Sequence, residues 1–396
     1  MTPTHERQVT KMSPDPDKAF PKPAALLAGK GLLVVKIGSS LLVDAGGRLR
    51  RDWMDQLAVR LAGLGRPVVL VSSGAIALGR GALGLDGRPR SLAQAQAAAA
   101  VGQIHLAGAW TETWARQGRA AAQILLTLGD LEQRPRYLNA RATLEMLIER
   151  GLVPVVNEND TVATEEIRFG DNDRLAARVA QLLGAQLLVL LSDVDGLYTA
   201  DPATDRAAER IDHVDAITPE IEALAAGARV TGLGTGGMAS KLAAADIAMA
   251  AGVNVLLGSG QADDPIGALL DGASATVFTA RSKPLVARKQ WLRGLQQPQG
   301  EIEIDNGALA AIRSGSSLLA VGAIRIAGQF RRGDLVQLVG PHGICGQGLS
   351  AYDSEEAKKI TGLSTARIAE VLNEAGRGPM LHRDDLVLFE PLTPDP

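Results

Sequence analysis

Gly232-Leu233-Gly234-Thr235-Gly236-Gly237-Met238-Ala239-Ser240-Lys241 runs directly into the helical stretch Leu242–Ala251. Glycines at this density let backbone N–H groups turn toward a ligand without Cβ clashes. A helix N-terminus adds the positive end of its dipole, and Lys241 adds a full charge. Together these features describe a phosphate cradle, although the Walker A spacing is absent. A second lysine, Lys36, ends the apolar run before Gly38-Ser39-Ser40. A lysine there could simply snorkel from the strand end. Alternatively it meets Lys241 over a phosphoryl group in transfer, where two cations would offset charge on the equatorial oxygens. Gly170-Asp171-Asn172-Asp173 precedes a helix, and Asp171 or Asn172 could be its N-cap. Asp173, inside the first turn, is placed to hold both lysines by ionic hydrogen bonds. Asn157-Glu158-Asn159-Asp160 follows another apolar run and could receive an ammonium group or indirectly order Mg2+.

Those residues need a frame, and the chain alternates short apolar runs with longer helical ones. Leu32–Ile37, Val68–Val71, Ala122–Leu126, Val153–Val156, Leu187–Leu191 and Val253–Leu257 are apolar on both faces and predict buried parallel strands. Asp52–Leu64, Leu92–Gln117, Arg134–Arg150, Asp173–Leu183 and Met238–Ala251 predict the helices between them. The alternation implies a layered α/β domain with helices on both faces of the sheet. Ligands bind such sheets at the carboxyl ends of the strands. Gly38–Ser40, Ser72-Ser73-Gly74, Asn157–Asp160, Ser192-Asp193 and Gly258–Gly260 all fall there.

After Thr279 the character changes. Arg281–Pro284 and Gln296–Gly300 punctuate a linker, 281–299, around a short helix near Arg288–Leu295. Beyond it Glu301–Ile304, Ser317–Val321, Ala323–Ile326, Leu335–Val339, Cys345–Leu349 and Leu386–Phe389 read as β runs, with one helix at Ser364–Glu374. A small β-rich domain over 300–390 follows.

Composition narrows the function further. The 396 residues favour two domains, and a net charge of −3 advertises neither nucleic acid nor an anionic membrane. Cys345 is the single cysteine, which excludes an internal disulfide and fits a reducing cytoplasm. Residues 1–28 lack an apolar signal core and read as a disordered leader. Gln94, Gln96, Gln103 and His105 interrupt the Ala-rich stretch Leu92–Ala109, so it predicts a packed helix and no membrane span. His5, His105, His213, His342 and His382 lie outside the polar loops, which disfavours both zinc and a histidine base.

The ordered series Val35–Ser40, Ser72–Ile76, Asn157–Asp160, Gly170–Asp173, Gly196–Pro202 and Gly234–Lys241 resembles the amino acid kinase family, in particular its members that act on glutamate. The C-terminal part resembles a PUA domain. The resemblance spans about residues 32 to 389 and implies a three-layer αβα sandwich with a mainly parallel sheet over 29–280. It implies ATP- and Mg2+-dependent phosphorylation of the glutamate side-chain carboxylate, opening proline synthesis, with proline as feedback inhibitor and a homotetramer. Carried over, Lys36 and Lys241 would stabilise the transferring group and Asp173 would organise them. Ser73, Asp160 and Asn172 would hold glutamate. Lys36, Ser192, Asp193, Thr235, Gly236, Gly237, Met238, Ala239, Ser240 and Lys241 would line the ATP site. RNA binding by the PUA-like part is disfavoured, because acidic side chains outnumber basic ones after residue 300. Arg331-Arg332 and Lys358-Lys359 could still form a local basic patch.

Overall fold

The computed structural model describes residues 20–85, 87, 89–163, 171–226, 237–280, 282–372 and 378–389, with Asp171 described by its backbone alone. Most of the leader, the loop Gly232–Gly236 with its two candidates Thr235 and Gly236, and Gly170 lie outside them.

The first domain is built on one eight-stranded sheet. Its strands are β1 (Leu33–Ile37), β2 (Val68–Ser72), β3 (Ala121–Leu126), β4 (Val153–Glu158) and β5 (Leu187–Ser192). A two-stranded hairpin of β6 (Leu197–Tyr198) and β7 (Arg210–Ile211) follows, then β8 (His213–Val214), β9 (Asn254–Ser259) and β10 (Ala275–Phe278). The sheet order is β3-β4-β2-β1-β5-β9-β10-β8, parallel throughout except where β10 runs against β9. All six strands expected from the apolar runs are present; β10, β8 and the hairpin were not anticipated. Being two to four residues long, these segments carry too little pattern to be read.

Two hydrophobic clusters cover the two faces, which makes the domain three layers deep. On one face Leu33, Val35 and Ile37 pack with Trp53, Met54 and Leu57 of the helix Arg51–Gly63 and Leu106 and Trp110 of the helix Leu92–Ala115. On the other, Val34 packs with Leu175 and Val179 of the helix Asp171–Leu183 and Ala244 and Ala248 of the helix Met238–Ala250. Strand side chains alternate between faces, so Lys36 falls on the same face as Val34. That parity aims Lys36 at these two helices.

Pro23–Leu27, within the segment read as a leader, is a short helix whose Leu27 is fully buried. The Arg66 guanidinium ties it down by donating to the Leu26 and Leu27 carbonyls.

The second domain is a five-stranded sheet of β11 (Gly300–Ile304), β12 (Ala323–Gly328), β13 (Leu335–Gly340), β14 (Gly343–Leu349) and β15 (Leu386–Leu388), in the order β12-β11-β13-β14-β15. The expected strand Ser317–Val321 is instead a single bridge, Leu318 to Leu381, and a 3-10 turn at Ala320–Gly322. Two helices were not anticipated, Asn306–Arg313 and Ser354–Ile360. Between the domains, the helix Pro284–Gly294 is longer than the expected short one. Its Leu292 is buried against Leu335, Leu349 and Val387, while its Arg288 donates to the Tyr137 hydroxyl of the first domain.

Candidate active site

β1 and β2 end side by side, with the Ser73 N–H donating to the Ile37 carbonyl at 3.2 Å. Gly74 takes φ of +110°, a left-handed conformation that favours glycine, and so turns the chain sharply into the helix Ala75–Gly79. Ser73 is thereby held just past the end of β2, against the end of β1.

The centre of the site is Asp173, which is completely buried. Its Oδ1 lies 2.5 Å from Lys36 Nζ, and its Oδ2 lies 3.7 Å from Lys241 Nζ. The Ser240 hydroxyl donates to Oδ2 at 2.6 Å. Burial works to raise the Asp173 carboxyl, but Lys36, Lys241 and Ser240 outweigh it and hold it below the usual carboxylate range. Burial pushes the Lys241 ammonium down, and Asp173 pulls against that shift without cancelling it. Both lysines are only 6% exposed. Lys36 therefore does not snorkel, and Lys241 is not the surface residue that its place in a first turn implies. Two ammonium groups on one carboxylate give this trio a formal charge of +1. A buried positive trio favours an anion beside it.

A second cluster adjoins the first, because Asn172 and Asp173 are consecutive in one helix. Asn172 Nδ2 donates to Ser73 Oγ at 3.0 Å and to Asn157 Oδ1 at 3.1 Å. Asn157 Nδ2 in turn donates to Gln103 Oε1 at 2.7 Å. Asp160 is buried three residues beyond Asn157. Of the three candidate glutamate ligands, Ser73 and Asn172 are thus in direct contact with each other.

The nucleotide candidates are spread along the same edge. Ser192, at the end of β5, is buried and donates to the Asp193 carboxylate at 2.9 Å. Gly237 is the extended N-cap of the helix that carries Met238, Ala239, Ser240 and Lys241. The Ala239 side chain lines a different space, a cleft of about 460 Å3 bordered by Arg174, Ile217, Glu222 and Asp246. What Ala239 can present toward a phosphate is a first-turn backbone N–H. Among the described residues no group of three His, Cys, Asp or Glu side chains could hold a metal ion. Gln103 was missed as a contributor to the site. Its only sequence signal was a polar interruption of an alanine-rich helix.

A buried lysine pair on one aspartate, set at the carboxyl edge of a parallel sheet beside a second polar pocket, is an arrangement suited to holding phosphate charge. The model of the amino acid kinase family matches residues 31–259, and that of the PUA domain matches residues 300–372. The chain belongs to the amino acid kinase family. Its relatives include the glutamate 5-kinase of Rhizobium rhizogenes, 51% identical over 90% of this chain and 92% of that one. The glutamate 5-kinase of Dinoroseobacter shibae is 54% identical over 92% of this chain and all of that one. Among solved structures, carbamate kinase from Giardia lamblia bound to AMP-PNP aligns at 14% identity and a TM-score of 0.46, covering 64% of this chain and 99% of that chain.

Proposed function

We infer that the two clusters carry out one reaction, transfer of the ATP γ-phosphoryl group to the side-chain carboxylate of L-glutamate. The chain is a phosphotransferase with a carboxyl group as acceptor, and its product is L-glutamyl 5-phosphate, the first intermediate of proline synthesis. One observation carries this reading: the Lys36–Asp173–Lys241 trio and the Asn172–Ser73–Asn157 pocket are joined through adjacent residues of one helix.

The acceptor carboxylate has an unperturbed pKa of about 4.3 and is ionised at neutral pH, so no general base is required. Its oxygen attacks phosphorus and the bond to the bridging oxygen of ADP breaks; the electron pair leaves with ADP. The protein contributes position and charge. Ser73, Asn172 and Asp160 hold glutamate; Lys36 and Lys241 meet the charge on the equatorial oxygens. Asp173 and Ser240 keep the lysines in place. Ser192, Asp193 and the Gly237–Lys241 turn line the nucleotide. Mg2+ would be carried in on the nucleotide phosphates, and no residue of this chain is assigned to hold it. It supplies further neutralisation of phosphate charge.

Proline as feedback inhibitor at or near the glutamate pocket, a homotetramer and a cytoplasmic location complete the reading by family. Among the described residues no helix is long and apolar enough to cross a membrane. The test is acyl phosphate formation with ATP and Mg2+, trapped by hydroxylamine, with glutamate, aspartate and N-acetylglutamate offered in parallel. Turnover with glutamate alone, suppressed by proline, is expected. Turnover with another acceptor and none with glutamate would overturn the substrate.

A further inference from the structure

The helix Leu92–Ala115 touches the acceptor pocket from behind at several points. Trp110 Nε1 donates to Ser72 Oγ at 2.9 Å, and Gln96 Nε2 donates to the Ala163 carbonyl at 3.1 Å. The contact with most consequence is Gln103. Its Oε1 accepts from Asn157 Nδ2, an arrangement that turns the Asn157 amide oxygen away from Gln103. Asn157 Oδ1 must then accept, and it does so from Asn172 Nδ2. Asn172 Nδ2 spends its two protons on Asn157 and Ser73, so Asn172 Oδ1 is left as a buried acceptor without a partner among the described residues. An unpaired buried acceptor is costly unless a ligand supplies a donor. The alternatives for Asn157 are few. It is 2% exposed, and the space behind it, lined by Ser72, Gln103, Trp110, Gln123 and Asn157, measures about 10 Å3. That is room for at most one water.

We propose that Gln103 is a positioning residue for substrate recognition. By accepting from Asn157 it sets the polarity of the whole amide chain, and so keeps Asn172 Oδ1 as the acceptor for an N–H of the substrate's α-ammonium group. The proposal rests on the glutamate reading above and deepens it. Gln103 itself does not touch the reacting atoms.

The experiment compares steady-state kinetics of the full-length chain with Gln103→Met, Gln103→Asn and Gln103→Glu variants, with thermal melts alongside. Methionine keeps length without the acceptor, asparagine has an acceptor too short to reach, and glutamate restores the acceptor. Q103M and Q103N are expected to raise KM for glutamate about tenfold, the scale of one lost polar contact to a charged group. KM for ATP and kcat at saturation should stay near wild type, and Q103E should recover most of the loss. Glutarate, which lacks the ammonium group, should inhibit wild type and Q103M equally. Should Q103M fail to fold, Q103N decides the matter. Wild-type KM in whichever of the two variants folds would overturn the proposal. So would equal losses for glutamate and ATP, which mark a general structural defect, or a Q103E variant as impaired as Q103M. A wild-type chain inactive on glutamate would instead overturn the substrate reading itself.

Discussion

At the scale of single residues, the site turns on one carboxylate shared by two lysines. Replacing Lys241 with alanine is expected to lower kcat about 10²–10³-fold, the usual effect of removing one transition-state charge partner. A far-ultraviolet spectrum like that of the parent would show the fold intact; unchanged turnover would remove Lys241 from the mechanism. Its lowered pKa also gives a pH signature. With the ammonium as the proposed working form, kcat is expected to fall as pH rises through a value below the ordinary 10.5, and Lys241→Arg should carry that limb to higher pH. Stability runs the other way for this residue. Between its folded value and 10.5 the unfolded chain binds more protons, so stability from Lys241 rises with pH in that window. Asp173, with a folded value lowered below 3.8, contributes stability that is present above 3.8 and lost as pH falls through its folded value. A pH–kcat profile together with melts across pH separates these effects.

At the scale of elements, the helices Ala75–Gly79 and Leu92–Ala115 cross with backbone against backbone. A Cβ on Gly102 would sit 1.8 Å from the Ala75 carbonyl oxygen, and one on Gly79 would sit 1.9 Å from that of Ala98. Gly102→Ala must push the two helices apart, at a cost of about 1–3 kcal/mol. Since Ala75 directly follows Ser73-Gly74, the same change should raise KM for glutamate more than KM for ATP. Chemical denaturation and kinetics check the two halves separately. The elements themselves were largely legible in the sequence, because strands buried on both faces leave continuous apolar runs. The helix Ser354–Ile360 was missed although its capping box, Asp353 with Glu356, was present to be read. The burial of Lys241 could also have been found: it shares the i, i+3, i+4, i+7 stripe with Ala244, Ala245 and Ala248, all buried. The role of Gln103 could not, because its partner lies 54 residues away and only the fold brings the two together.

At the scale of the whole molecule, the domains are joined by a buried ionic knot. Arg141 NH1 donates to Asp385 Oδ2 at 2.7 Å, and Arg288 donates to Oδ1 of the same carboxylate. Arg332 adds a contact to Asn139, and Arg134 to the Gly333 carbonyl. Asp385 is 5% exposed and Arg141 is 7% exposed. Asp385→Ala takes from Arg288 its carboxylate and leaves Arg141 with Glu145 and Asp384, so a loss at the low end for a broken buried pair, about 3 kcal/mol, is expected. A calorimetric scan in which the single transition drops or divides would bear this out; an unaltered melting temperature would contradict it. The knot also has a consequence for synthesis. Its arginine at 141 leaves the ribosome 244 residues ahead of its counter-ion at 385. A nascent first domain, which folds as it emerges, has Glu145 at hand for Arg141 Nε, but must wait through nearly the whole of the second domain for the carboxylate that takes NH1. A chain stopped short of Asp385 would lose part of the first domain's support as well as the last strand of the second.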